Sequence, residues 1–330
     1  MKHTIINTLQ GVAIGDAFGV GIEFKSRPWI LEHVHFDHII PRTNNVWKAN
    51  GFPLDPGTYS DDTEHTIAVA EALLSDEPFS KDLLLEKFKH EYETDKKVKG
   101  YPRQGHGSIE HWYTGEKTID EIRTQQSLRD DPGNAPVMRA IPIAFAGRET
   151  LHDYAIINAD VTHPHIAARH ASLITVLTAW HFLRNQGTSD TLFSFLNNEL
   201  ASEGIAEQLA SIDALPHPEQ LTESDFVVLH STQPLPFVPW DDNIYGLPCA
   251  ALKTALNVAY IMKHSISAFD ALKQSIRMGG DVDSLAAVCT GIASGAYGTD
   301  SLPRFLFNQT EGLGRMQQLG ERLYAKFQHN

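Results

Sequence analysis

An all-α fold is predicted by two features of this 330-residue sequence: apolar residues recur at helical spacing, and the strict alternation of a half-buried strand is scarce. Length and composition agree. With 42% hydrophobic and 21% charged residues the chain has enough apolar surface for a core without staples. No Gly/Ser-rich or Pro-rich linker and no 20–50-residue repeat divides it, so residues 1–330 are read as a single domain.

The elements follow in order. Ile5, Ile6, Leu9, Val12 and Ala13 form the first apolar stripe. Ile67, Val69, Ala70, Leu73 and Leu74 form the second, in a helix running from Glu64 to Leu74. Leu83, Leu84 and Leu85 with Phe88 come next, then Ile166 to Leu183, then Leu252 to Met262, Leu285 to Tyr297 and Leu319 to Phe327. The clearest strand-like run, Phe226-Val227-Val228-Leu229, is too short to anchor a sheet. Long polar connections at 25–60, 95–135 and 213–248 hold most of the prolines, and loops of that size usually carry function. Within the last, Pro234-Leu235-Pro236 and Trp240-Asp241-Asp242-Asn243 read as a turn-rich loop.

Charge excludes several classes. There are 27 Lys+Arg against 41 Asp+Glu, a net of −14, and no basic block, so nucleic-acid binding is not expected. The longest charge-free runs, Ala171 to Leu183 and Ser284 to Thr299, fall short of the roughly 18 apolar residues of a membrane span. Met1-Lys2-His3-Thr4 leads straight into the first stripe, without the order of a signal peptide. Two cysteines, Cys249 and Cys289, make no disulfide framework, and a reducing cytoplasm is expected.

Two acidic clusters carry the chemistry. Tyr59-Ser60-Asp61-Asp62-Thr63 opens one predicted helix and Gly279-Gly280-Asp281-Val282-Asp283-Ser284 opens another. Backbone N–H groups and the macrodipole favour negative charge at both places. Capping would account for one such residue, not for three together beside a Gly-Gly. If the two helix starts meet, Asp61, Asp62, Asp281 and Asp283 share one volume and either raise one another's pKa values or recruit a cation. Carboxylate and hydroxyl oxygens suit Mg²⁺ or Mn²⁺, and four negative charges match two divalent ions.

These two segments, together with Gly11-Val12-Ala13-Ile14-Gly15-Asp16-Ala17-Phe18-Gly19, in this order and spacing, resemble the ADP-ribosylglycohydrolase family, which includes the ADP-ribosylarginine and ADP-ribosylserine hydrolases. The resemblance covers about residues 4 to 300. It implies a compact orthogonal helical bundle with a binuclear Mg²⁺ or Mn²⁺ centre in a cleft. The implied activity removes ADP-ribose from a modified protein side chain, with an arginine N-glycosidic linkage favoured. Water attacks the anomeric carbon of the distal ribose through an oxocarbenium-like transition state. An ADP-ribosylated protein, or ADP-ribose itself, is the implied partner. The alternatives are a hydrolase of a free ADP-ribosyl or ribosyl metabolite, and a non-catalytic ADP-ribose-binding protein.

Residue by residue, the resemblance implies metal ligation by Ser60, Asp61, Asp62, Asp281, Asp283 and Ser284. The family usually has Thr where this chain has Ser60 and Ser284, and the hydroxyl survives the change. Glu23 falls where the family has a glutamate on a loop over the metals, and with Asp62 it is the catalytic candidate, orienting or deprotonating water. Asp16 is either a buried structural Asp or a partner of the ligands. Gly133 and Asn134 match the segment that cradles the pyrophosphate, although Ala135-Pro136 departs from it and Pro136 offers no N–H. Gly105 and Gly107 match a second glycine-containing loop, and His163, after Thr162, matches a residue near the phosphates and distal ribose. Tyr101, His106 and Trp112 are the candidates for an adenine surface. Arg139 is read as an internal ion pair to the acidic centre in preference to a phosphate clamp.

Overall fold

A computed structural model describes residues 1–41, 55–230, 235 and 245–328. The N-terminal part holds α1 (Lys2–Gly19), α2 (Arg27–His33), α3 (Asp61–Leu74) and α4 (Lys81–Lys99). Short helices α5 (Glu110–Tyr113), α6 (Ile119–Ser127) and α7 (Ala135–Met138) lead to α8 (Leu151–Asp160) and α9 (Ile166–Leu183). Then come α10 (Leu192–Glu199), α11 (Ala206–Asp213), α12 (Glu223–Leu229), α13 (Ala251–His264), α14 (Ala268–Arg277), α15 (Val282–Tyr297), α16 (Arg304–Gln309) and α17 (Leu313–Phe327). Among the described residues, extended pairing is limited to two isolated bridges, Lys25 to Gly280 and Leu247 to Gly280. The fold is all-α.

At the centre α1 and α15 pack antiparallel, each buried on nearly every side. Gly11, Gly15 and Gly19 recur every four residues along one face of α1, where α15 comes closest. A Cβ on Gly15 would stand 2.2 Å from the Ala286 carbonyl oxygen, and one on Gly19 2.4 Å from Asp283 Cα. Only helices without side chains at the contact can approach so closely. The C-terminal end of α1 therefore lies beside the N-terminal end of α15. Around this pair pack α3, α13, α14 and α17, and α9 joins through α13 and α15.

The structure corrects three expectations. Phe226–Leu229 is not extended but the last turn of α12, because Thr222 and Asp225 form a capping box that starts a helix. Beta-branched Val227 and Val228 misled the local reading. The long polar connections are partly helical, with α2, α5, α6 and α12 inside them. Finally, α3 starts at Asp61 and α15 at Val282, each about a turn earlier than their apolar stripes. The 234–236 and 240–243 turns lie outside the described residues apart from Leu235.

Candidate functional site

Three helix ends converge on a buried acidic cluster. The first is the start of α3. Ser60 is its N-cap, its Oγ accepting from the Asp62 N–H at 3.4 Å. Asp16, from α1, fixes this end with both carboxylate oxygens. Oδ1 accepts from Ser60 N at 2.9 Å and Ser60 Oγ at 2.8 Å, and Oδ2 accepts from Thr63 N at 2.9 Å and Thr63 Oγ1 at 2.6 Å. Asp16 is thus a positioning residue for the first motif.

At the start of α15 the main chain does the holding. Gly280 N donates to Lys25 O at 3.0 Å, and Phe24 N donates to Gly280 O at 2.8 Å. On the other side Leu247 N donates to Gly279 O, and Asp281 N to Leu247 O, both at 2.9 Å. Gly280 has φ +83, and a Cβ there would meet Leu247 O at 2.3 Å, so glycine is required. This two-sided clamp attaches the Glu23 segment directly to the second motif. Phe24 sits at φ +59 immediately after Glu23, buried against Leu235 and Cys249.

Glu23, Asp281 and Asp283 each present a carboxylate oxygen within 4.8 Å of the others. Asp281 occupies the N-cap of α15 without capping it, since its Oδ2 accepts from Asn134 Nδ2 at 2.8 Å. Capping therefore does not explain this aspartate. Asp283 Oδ1 accepts from Ser284 N at 2.9 Å, and Ser284 is buried beside it. Across the cleft, Asp62 Oδ2 lies 3.2 Å from Ser60 Oγ, while Asp62 Oδ1 is buried with no hydrogen-bond partner among the described residues. An orphaned carboxylate oxygen in such a place is what a bound cation would satisfy.

Electrostatics record the crowding. Burial raises the Asp61 carboxyl to about 7; His106 lowers it, while Asp283 and Asp16 raise it. Burial, then Asp283 and Asp16, push Asp62 well above the carboxylate range. Burial, then Asp283, do the same to Asp281. Asp16 rises to about 6, chiefly by burial, against the lowering hydrogen bond from Thr63. The two helix starts thus feel each other as like charges.

The glycine loops surround the carboxylates. Asp61 N donates to Gln104 O at 3.1 Å, and a Cβ on Gly105 would meet Asp61 Oδ1 at 1.8 Å. Gly107, at φ +55, has open space beside it. Gly133 lies against His163, whose Nε2 would be 2.9 Å from a Cβ there. Gly133 N donates to Gln126 Oε1 at 3.2 Å, and Gln126 Nε2 donates to Ser108 Oγ at 3.0 Å, so Gln126 bridges the two loops. His163 Nδ1 is 2.7 Å from Thr162 Oγ1, and burial lowers its pKa well below the usual value, keeping the ring neutral.

Two expectations fail. Arg139 makes no ion pair among the described residues; its guanidinium donates to Asn158 Oδ1 and O at 2.9 Å and to Thr162 Oγ1 at 2.8 Å, and stacks on Phe88. Burial drops its pKa to about 9. His106 cannot offer a face to adenine, because its side chain is buried among His65, Tyr92 and Tyr113, with Nε2 3.4 Å from Glu64. Tyr101 and Trp112 keep partial exposure. Reading the sequence missed Gln126 and the Cys249 thiol, whose proximity acts to lower the Asp281 pKa against burial; neither belongs to a motif with a recognisable spacing.

Carboxylates, hydroxyls and an amide gathered at helix ends of an all-α fold define the class, and the chain belongs to the ADP-ribosylglycohydrolase family, whose model matches residues 2–330. It is a glycosidic hydrolase. ADP-ribosylhydrolase ARH3 of Homo sapiens is 24% identical over 307 residues, covering 83% of this chain and 83% of that protein. Its Mus musculus counterpart is 23% identical, covering 98% and 91%. The ADP-ribosyl-[dinitrogen reductase] glycohydrolase of Rhodospirillum rubrum is 23% identical, covering 90% and 87%. The solved structure of an ADP-ribosylglycohydrolase-related protein complex shares the fold, with TM-score 0.64 at 18% identity over 98% of both chains. No helix among the described residues is long and apolar enough to cross a membrane.

Proposed function

We propose that this enzyme removes ADP-ribose from a modified protein side chain by metal-dependent hydrolysis, and that residues 1–330 form one catalytic domain. The observation that carries the reading is the buried Asp62 Oδ1 without a partner among the described residues, facing like charges from Asp281 and Asp283. Ser60, Asp61, Asp62, Asp281, Asp283 and Ser284 would hold two Mg²⁺ or Mn²⁺ ions. Bound divalent ions supply Lewis-acid polarisation and a lowered pKa for water.

The chain's own groups do the rest. Glu23 is half-buried within reach of Asp281 and Asp283, which suits a base that takes a proton from the attacking water. Asp62 shares that task from the opposite helix end. The bond from the anomeric carbon to the side chain breaks as the bond to water oxygen forms, and the proton removed is the one the departing group needs. Asn134 holds Asp281 in place and faces the substrate with Gly133 and His163. Gly105 and Gly107 line the opposite loop. A phosphate contact by the Gly133 N–H would replace its bond to Gln126.

One hydrophobic cluster extending from Ile5 to Phe327 supports the single-domain reading, and two free thiols, Cys249 and Cys289, support a reducing cytoplasm. The test is release of free ADP-ribose from matched arginine-linked and serine-linked proteins, with Mg²⁺ and then with excess chelator. Chelator-sensitive release is expected, faster from arginine. Binding of ADP-ribose without any release would contradict the reading, and release from free ADP-ribosyl metabolites alone would replace it with the metabolite hydrolase.

A further inference from the structure

We propose that a pocket behind the Gly279–Gly280 turn binds a compact phosphate oxyanion, at residues distinct from the carboxylate cluster. The pocket, about 240 Å³, is lined by Arg27 and Leu31 of α2, Lys273 and Arg277 of α14, and Pro218 and Glu219.

The argument starts from charge. The chain has 41 acidic and 27 basic residues, so a cation on it has carboxylates to spare. Arg169, Lys263 and Arg315 each take one, and Arg103 takes three. Arg27, Lys273 and Arg277 converge on one pocket, yet among the described residues none forms an ion pair. Each instead lies over a ring: Arg27 at 4.8 Å from Phe226, Lys273 at 5.0 Å from Phe269, Arg277 at 5.7 Å from Phe36. A ring face holds a cation without neutralising it.

Arg27 Nη1 also donates to the Arg277 carbonyl at 2.6 Å, which brings two like-charged side chains together. Burial, then the charge of Arg277, lowers the Arg27 pKa. Of the two acids on the pocket wall, Asp270 is engaged, its Oδ2 accepting from Ile266 N at 3.2 Å and Gln274 Nε2 at 2.9 Å. Glu219 is exposed to solvent. A compact oxyanion seated among three cations removes their repulsion, and guanidinium forks match phosphate oxygens in pairs.

The location gives the site a consequence. A Cβ on Gly279 would lie 2.7 Å from Arg27 N, and Arg277 stands two residues before it. An anion bridging Arg27 and Arg277 thus ties the segment after Glu23 to the one before Asp281. The proposal stands independently of the hydrolase reading.

The test is calorimetric titration of the full chain with inorganic phosphate, without divalent ions and against chloride of matched ionic strength. Binding is expected, weakened about tenfold or more by Lys273→Ala with Arg277→Gln, and within about twofold of wild type in Asn134→Ala. Should the double variant lose its cooperative melt, Lys273→Met alone is expected to weaken binding about threefold or more. No binding beyond chloride would overturn the proposal. So would binding that survives the pocket substitutions and disappears in Asn134→Ala, which would put the phosphate among the substrate loops.

Discussion

The two helix ends that bear the carboxylates are fixed by opposite means. The start of α3 is held by a side chain, Asp16, which accepts four hydrogen bonds from Ser60 and Thr63. The start of α15 is held by main chain, with Gly279–Asp281 clamped between Lys25 and Leu247. A side-chain support can be weakened in steps, because each of its two acceptor oxygens holds two of the four bonds and can be removed separately. A backbone clamp fails as a unit, because any Cβ at Gly280 strikes Leu247. The difference predicts which substitutions dim the site and which dismantle it.

The largest effect is expected where both ends contribute at once. Asp62→Ala removes the carboxylate with the orphaned oxygen and should lower kcat/KM by about a thousandfold or more, with the fold retained. Steady-state rates alongside a thermal melt check this; wild-type turnover in this variant would break the link between the two ends.

Gly280→Ala comes next. Positive φ and the clash at Leu247 should destabilise the protein by about 2–4 kcal/mol, read from denaturant unfolding, and activity should fall with it. Asp16→Asn should act more gently, weakening metal affinity or activity about 10–100-fold, since it disturbs the support and not the cluster itself. If Asp16→Asn proved the more destructive of the two, the comparison would be inverted.

The smallest effect is a pH dependence. Asp61, raised by burial to about 7 from 3.8, binds a proton in the folded chain that the unfolded chain has released across this window. Its contribution to stability is therefore fully present below about pH 3.8 and lost progressively as pH rises from there through about 7. In chelator, Asp61→Asn should melt about 2–5 °C above wild type at pH 8, and the gap should narrow steadily as pH falls below about 7 and close near pH 4. A constant gap would mean that Asp61 is not a crowded, buried carboxylate.

The contrast between the two ends also explains what could be read beforehand. Long helices such as α1, α9 and α15 were legible because their apolar stripes keep helical spacing over several turns. Short ones such as α5 and α7 were not, since tertiary packing decides segments that cannot form alone. The carboxylates were legible as clusters at helix starts. Asp16 was legible as a candidate, but its choice of Ser60 and Thr63 depends on how α1 meets the start of α3. The clamp on Gly280 joins segments over 200 residues apart through main-chain atoms, which leave no mark on sequence beyond Gly-Gly. Arg139 was misread for the same reason: its partners, Asn158 and Thr162, are neutral, and no charge rule points to them.

The most direct test of the shared site is calorimetric titration of the metal-free protein with Mn²⁺. The account predicts two ions per chain, with binding lost when either Asp62 or Asp283 is replaced by Ala, because each helix end is useless without the other. Absence of binding, or binding that survives both substitutions, would contradict it.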